Sequence, residues 1–268
     1  MRSTALIALN VFRESVRDKV LYNLVLFAVL LMGASYLIGQ LTAGQDVKII
    51  KDLGLAATSI FGLFIAIFIG IQLVSKEVER RSINNLVSKP IERYQIVLGK
   101  YAGLVLTLAI NLAIMALALY VVLAYMAWVA GPSAALAWEA PALDPRMLKA
   151  VFLTFVELSL VTAIALFFST FSSPLLSAAF TFGLFVAGRF SADLRNFNQV
   201  VESPAAAWLA QALYWVLPNL APFDVRSQVV HAQPVTFEYL AMTTGYAVLY
   251  VGALLTVASL VFSRRDFK

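Results

Sequence analysis

Six long apolar runs divide this chain, and they constrain its fold more than any other feature of the sequence. A helix that crosses a bilayer needs about 20 mostly apolar residues at about 1.5 Å per residue. The runs cover residues 20–41, 54–74, 101–129, 149–171, 174–190 and 239–262, of which the fifth is short. Since 61% of the residues are hydrophobic and only 13% are charged, a soluble core could not hide these runs. The sequence predicts an all-α polytopic membrane protein with six transmembrane helices.

Residues 1–268 show no second domain, so we expect a single membrane domain. Its first segment, 1–19, predicts an amphipathic helix in the cytoplasmic headgroup layer. An apolar stripe recurs there at helical spacing, formed by Ala5, Leu9, Phe12, Val16 and Val20. A cytoplasmic extension of the first span is the alternative. Basic residues precede the first long apolar run, which favours a retained span over a cleaved signal peptide. The loop 191–238 is the longest connection and is expected to carry short extracytoplasmic helices.

The distribution of basic residues predicts the orientation. With the N-terminus inside, 13 Lys and Arg residues lie on the cytoplasmic side and 7 on the other. The side with more basic residues is the cytoplasmic one. Both termini are therefore expected inside, in the cytoplasmic (inner) membrane of a bacterium or archaeon. Because the basic residues occur in short patches between apolar runs, they favour a topology signal, and no nucleic-acid partner is expected.

The inner connection 75–100 predicts a short helix across the cytoplasmic face. Ser82 can cap a helix there, and Pro90 ends it. Three apolar side chains would then form a patch with a charged rim, namely Ile83, Leu86 and Val87. A patch of this kind is typical of a protein-docking surface, although an ordinary solvated loop is the alternative.

The same connection resembles the coupling region of permeases of type-2 ATP-binding-cassette (ABC) exporters. The similarity lies in Glu77-x-Glu-Arg-Arg-Ser, Ser-Lys-Pro-Ile-x-Arg-Tyr and Gly-Lys100, with Arg81-Ser82 where many relatives have Gly-Thr. The amphipathic N-terminal helix, the six spans and the short connection 169–174 resemble the family as well. The resemblance covers essentially the whole chain.

The resemblance implies a transport subunit without its own ATPase site. Two permeases, identical or homologous, would form the pathway, and each would dock a cytoplasmic ABC ATPase that binds ATP and Mg²⁺. The chain itself has no phosphate-cradling motif, so no cofactor is expected on it. The resemblance assigns contact with the ATPase to residues of the inner connection: Glu77, Glu79, Arg80, Arg81, Ile83, Leu86, Val87, Pro90 and Arg93.

Four further positions are candidates for the pathway or for helix packing. Glu157 is an acidic residue well inside a predicted span, and an ionisable group there needs a partner, a cavity or water. Gly99 and Gly103 form a small-residue stripe that permits close helix packing, either within the chain or between two copies. Asn111, further along the same span, is expected to form a hydrogen bond with a neighbouring helix.

Two other classes of protein compete with an exporter permease. A secondary transporter or channel usually shows broken helices or several buried charges, which this sequence does not clearly contain. The other class is a non-transporting membrane scaffold or an enzyme. An enzyme needs clustered catalytic or metal-binding groups, whereas this chain has no cysteine and a single histidine. The apolar spans are compatible with lipid, glycan, drug, peptide or ion cargo.

Overall fold

A computed structural model describes residues 2–40, 46–79, 93–135, 138, 141–191 and 217–264. This part of the chain is helical and contains no strand, which confirms the predicted fold class. A 3₁₀ turn covers Ala221–Phe223. The α-helices are α1 (Arg2–Val16), α2 (Lys19–Gln40), α3 (Asp46–Glu79), α4 (Arg93–Ala135), α5 (Met147–Ser169), α6 (Pro174–Arg189), α7 (Arg226–Val230) and α8 (Phe237–Arg264).

Helices α3 and α5 form the centre of the bundle. Each has an apolar window of which 67% is buried, whereas the windows of α2 and α8 are 22% buried. The peripheral helices therefore expose apolar side chains such as Leu26 and Leu249, which are 55% and 77% exposed. An apolar surface of this extent suits contact with lipid. Within the described ranges, five helices are long and apolar enough to cross a membrane: α2, α3, α4, α5 and α8.

The fifth predicted span corresponds to α6, which has only 16 residues. At 1.5 Å per residue it is about 24 Å long, shorter than the roughly 30 Å hydrocarbon layer. Pro174 stands in its first turn, where a missing N–H costs nothing. Its other end meets the segment 217–236, called the cap below, where the Leu220 amide donates to the Gly188 carbonyl at 3.0 Å.

Helix α3 begins eight residues before the predicted span, at Asp46. The polar residues that the prediction left outside are helical, and one of them, Lys51, is fully buried. Its Nζ donates a 2.7 Å hydrogen bond to the Pro141 carbonyl oxygen. A buried ammonium group is tolerated where it finds such an acceptor, so the helix can start inside the folded protein.

The long helix α4 changes direction at Gly131. This residue has a φ of +75°, in the left-handed region that favours glycine. Pro132 follows it, and a proline disfavours helical geometry in the preceding residue. The apolar part of α4 accordingly ends at Gly131.

Candidate functional site

The small-residue stripe of α4 lies against α1. A Cβ atom added to Gly103 would stand 2.5 Å from the Ala8 carbonyl oxygen and 2.7 Å from a methyl group of Val11. A Cβ atom on Gly99 would stand 2.8 Å from Ile7. The two glycines thus allow the backbones of α1 and α4 to approach closely, which is packing within the chain.

The face of α1 that meets α4 is not the apolar stripe recognised in the sequence. Val11 and Ser15 are the buried residues, whereas Leu9, from the recognised stripe, is 41% exposed. Apolar side chains therefore lie on both sides of α1. One side packs on α4, and the other remains available for the membrane interface.

Three of the proposed ATPase-coupling residues are described, and they lie at the α1 end of the bundle. Helix α3 continues past its apolar window, which ends at Ile71, and reaches Glu79. Glu77 and Glu79 lie on this extension, and Arg93 begins α4. The remaining proposed residues lie outside the described part of the chain: Arg80, Arg81, Ile83, Leu86, Val87 and Pro90.

Asn111 forms its hydrogen bond within α4 instead of with a neighbouring helix. Its Nδ2 donates to the Thr107 carbonyl at 2.8 Å, and the Thr107 hydroxyl donates to the Gly103 carbonyl at 2.9 Å. These side chains satisfy their polar groups one turn back along their own helix, as Ser and Thr often do in membranes. The structure therefore gives Asn111 a local partner.

Glu157 lies on α5 and is only 1% exposed. Its Oε2 accepts a 2.9 Å hydrogen bond from Nη2 of Arg189 at the end of α6, so the two side chains form an ion pair. Nη1 of Arg189 reaches Oδ2 of Asp224 in the cap at 2.6 Å. One guanidinium thereby joins two membrane helices and the cap, and the fork of Arg suits such a double contact.

A second ion pair joins the cap to α3. Nε of Arg226 lies 3.2 Å from Oδ1 of Asp52, and both side chains are exposed, by 38% and 54%. An exposed pair like this contributes little free energy. The Arg189 contacts differ, because Glu157 is almost completely removed from solvent.

Cations at the start of α5 also hold the cap. Nη1 of Arg146 donates to the Ala232 carbonyl, and Nζ of Lys149 donates to the Val235 carbonyl, both at 2.5 Å. The Lys149 ammonium also lies 4.5 Å from the ring centre of Phe237. The cap is therefore fixed by charged groups from α3, α5 and α6.

The sequence pointed to Glu157 but not to its partners. In the sequence, Arg189 stands at the start of an outer loop as one of its basic residues, and no motif marks Asp224. The available signal was the position of Arg189, directly after the shortest apolar run. A basic residue at the end of a short helix can turn back into the membrane and meet a buried carboxylate.

Comparison of the sequence with models of known protein families gives a match over most of the chain. The model described as "ABC-2 family transporter protein" matches residues 5–267. A search of curated proteins found no match. The match spans nearly the entire chain and agrees with its several apolar helices. The chain therefore belongs to the ABC-2 transporter family, as the membrane-spanning permease component of an ABC transporter.

Proposed function

We propose that this protein forms the pathway of an ABC exporter and couples it to ATP hydrolysis by a separate cytoplasmic subunit. The supporting observation is the extension of α3 beyond its apolar window. The window ends at Ile71 and the helix at Glu79, so at 1.5 Å per residue the extension is about 12 Å long. Its end and the start of α4 flank residues 80–92, the segment for which the sequence predicts the apolar patch.

A stiff helix between that segment and the centre of the bundle suits mechanical coupling. Helix α3 packs on α2, α4, α5 and α6, and it also meets α7 of the cap. A displacement at the ATPase would therefore reach the Arg226–Asp52 pair at the opposite end of the same helix. The second permease that completes the pathway would be another copy or a homologue.

A charge in the apolar patch is expected to weaken binding of the ATPase. Placing a carboxylate in the centre of a docking surface should cost about 2 kcal/mol or more, which is roughly a thirtyfold loss of affinity. We expect Leu86→Glu and Ile83→Glu permeases to lose the ATPase that copurifies with the unchanged chain. Quantitative pull-down from detergent measures this loss.

Leu86→Met is the matched control, because it preserves the size and apolar character of the side chain. It should retain the ATPase. Normal ATPase recovery and normal transport by the Leu86→Glu chain would contradict the proposed coupling surface.

We place the α1 end of the bundle in the cytoplasm of a bacterium or archaeon. The excess of basic residues at that end supports this orientation. At the cap end, by contrast, most basic residues have partners inside the protein. Those with such partners are Lys51, Arg146, Lys149, Arg189 and Arg226. These contacts hold the cations within the fold, and carboxylates balance the charge of two of them, Arg189 and Arg226.

Single cysteines test this orientation, since the natural chain has none. Gln233 in the cap and Ser173 before α6 are both exposed and lie at opposite ends of the bundle. In intact cells, a membrane-impermeant maleimide should label Gln233→Cys and spare Ser173→Cys. Permeabilised cells should show labelling of both. The reverse pattern in intact cells would place the α1 end outside and refute ATPase docking there.

A further inference from the structure

A cavity lies between α3, α5, α6 and the cap. Its inner part has a volume of about 240 Å³ and its outer part about 650 Å³. The two parts are continuous, because the same four side chains line both: Phe185, Arg189, Asp224 and Arg226. Cavities of this size are typical of small-molecule sites in proteins.

The inner part of the cavity has a mostly apolar wall. It is formed by Leu55 and Ile60 of α3, Ala150 of α5 and Phe185 of α6. Ile60 is exposed, as is Phe64 one turn further along α3. Since residues four apart lie on the same side of a helix, apolar surface continues from the cavity along α3. A ligand with an apolar chain can therefore extend from the cavity towards the lipid.

Two hydroxyl groups line the inner part and have no hydrogen-bond partner among the described residues. They belong to Ser59 of α3 and Thr154 of α5, and both residues are partly exposed. The neighbouring hydroxyl of Thr58 differs, because it donates to the Gly54 carbonyl one turn back at 2.9 Å. A hydroxyl can both donate and accept. The Ser59 and Thr154 hydroxyls are thus available to a ligand in the cavity.

The charges that line the cavity balance. Arg189 lies against Asp224, and Arg226 lies against Asp52, so each cation of the lining has an anion of the lining beside it. A charged ligand would bring an uncompensated charge into a mostly apolar enclosure, which is costly. An uncharged ligand avoids this cost and still finds hydrogen bonds at the inner end.

We propose that this cavity binds an uncharged amphiphile, whose hydroxyl or carbonyl group forms hydrogen bonds with the Ser59 and Thr154 hydroxyls while its apolar chain lies along Ile60 and Phe185. The site goes beyond the coupling function, since every lining residue comes from the permease itself. Two sources offer the same chemistry, namely a neutral lipid of the bilayer such as diacylglycerol and a free long-chain alcohol.

Photolabelling of the full chain in lipid nanodiscs tests the site. The probe is a dodecanol that carries a diazirine in its chain. The competitors are dodecanol, dodecylamine and dodecanoate at about pH 8, where the amine and the acid are charged. We expect the label on peptides that contain residues 55–60 or Phe185, and dodecanol should compete about tenfold better than either charged analogue. Equal competition by all three would overturn the proposal.

Ser59→Ala/Thr154→Val removes both hydroxyls and should lower labelling by the alcohol about tenfold, the usual effect of losing one or two hydrogen bonds. Thr162→Val is the matched control. Its hydroxyl lies on α5 as well, but outside the cavity lining, and donates to the Leu158 carbonyl at 2.8 Å. This control should be labelled as the natural chain is. Undiminished labelling of the double variant would refute the site.

Charge variants provide an independent test that leaves both hydroxyls in place. Asp52→Asn leaves one surplus positive charge in the lining, so the preference should shift towards dodecanoate. Arg226→Leu leaves the opposite surplus and should shift it towards dodecylamine. Both side chains are more than one third exposed, so their replacement should cost little stability. If Ser59→Ala/Thr154→Val does not fold, these variants decide: opposite shifts support the proposal, and an unchanged preference in both overturns it.

The ligand that the chain retains on purification distinguishes the two sources. Diacylglycerol that copurifies with the natural chain and is depleted from Ser59→Ala/Thr154→Val identifies the bilayer lipid, and labelling by the alcohol without a retained lipid identifies a free molecule. The ATPase pull-down with Leu86→Glu is a separate measurement. Failure of the cavity site therefore leaves the coupling proposal intact, and the converse also holds.

Discussion

Replacement of Arg189 by leucine is expected to lower the free energy of unfolding by about 3–5 kcal/mol, the usual cost of removing one partner of a buried ion pair. Glu157 would remain 99% buried with neither oxygen paired among the described residues. Its charge would then lose the one cation that the described part of the chain pairs with it. Titration of the purified protein with sodium dodecyl sulfate, followed by circular dichroism, measures the loss.

The double variant Glu157→Leu/Arg189→Leu should recover most of this loss. Two apolar side chains that replace a buried pair are often neutral or stabilising. Asp224, the other partner of Arg189, is 37% exposed and can be hydrated. A double-mutant cycle therefore separates the cost of an unpaired carboxylate from the net contribution of the pair.

Arg226→Leu serves as the matched control, because it makes the same replacement in the neighbouring ion pair with Asp52. Both partners of that pair are more than one third exposed, so we expect a change of about 0–1 kcal/mol. If Arg189→Leu proved no more costly than Arg226→Leu, the Glu157 ion pair would not be a main support of the cap.

Gly103→Leu is expected to separate α1 from α4. The new Cβ atom would collide with the Ala8 carbonyl oxygen, and backbone cannot rotate away as a side chain can. Overpacking of this kind costs about 1–3 kcal/mol. Because the strain is relieved when α1 moves off, the helix should detach while the rest of the bundle remains folded.

Cysteine labelling measures this detachment. Val11 packs beside Gly103 and is 5% exposed, so Val11→Cys should react slowly with a soluble maleimide. In the Gly103→Leu background the rate should rise roughly tenfold, the factor that corresponds to about 1.4 kcal/mol.

Gly245→Leu is the control for this experiment. A Cβ atom at Gly245 of α8 meets nothing within 4 Å, so the added side chain has room. Both variants remove a helical glycine, which by itself favours the helix. Equal labelling of Val11→Cys in the two backgrounds would show that α1 does not depend on the close approach at Gly103.

The sequence was informative about helices because the bilayer requires long apolar runs. Five of the six runs correspond to helices of spanning length, and the short one corresponds to α6. Local signals were also useful where they act on neighbouring residues, as Pro174 does at the start of α6. Helix ends were less predictable. Lys51 and Asp52 are charged residues typical of a loop, and only their contacts with Pro141 and Arg226 explain why they belong to α3.

Only Glu157 of the candidate site could be predicted from the sequence, for a related reason. Glu157 stood out because a carboxylate in a span is costly and therefore needs a partner. Its partner Arg189 is 32 residues away along the chain, and Asp224, the second carboxylate on that arginine, is a further 35 residues away. Nothing in the spacing of those residues indicates that they meet.

By itself, the sequence determined that this protein is a helical bundle in lipid, since apolar length and charge distribution act locally on each span. Only the tertiary structure decided which face of α1 packs on α4, and that one arginine joins α5, α6 and the cap. Those contacts depend on how helices distant in sequence are placed side by side. Hydrophobic periodicity does not encode that placement, because in a membrane nearly every face of a span is apolar.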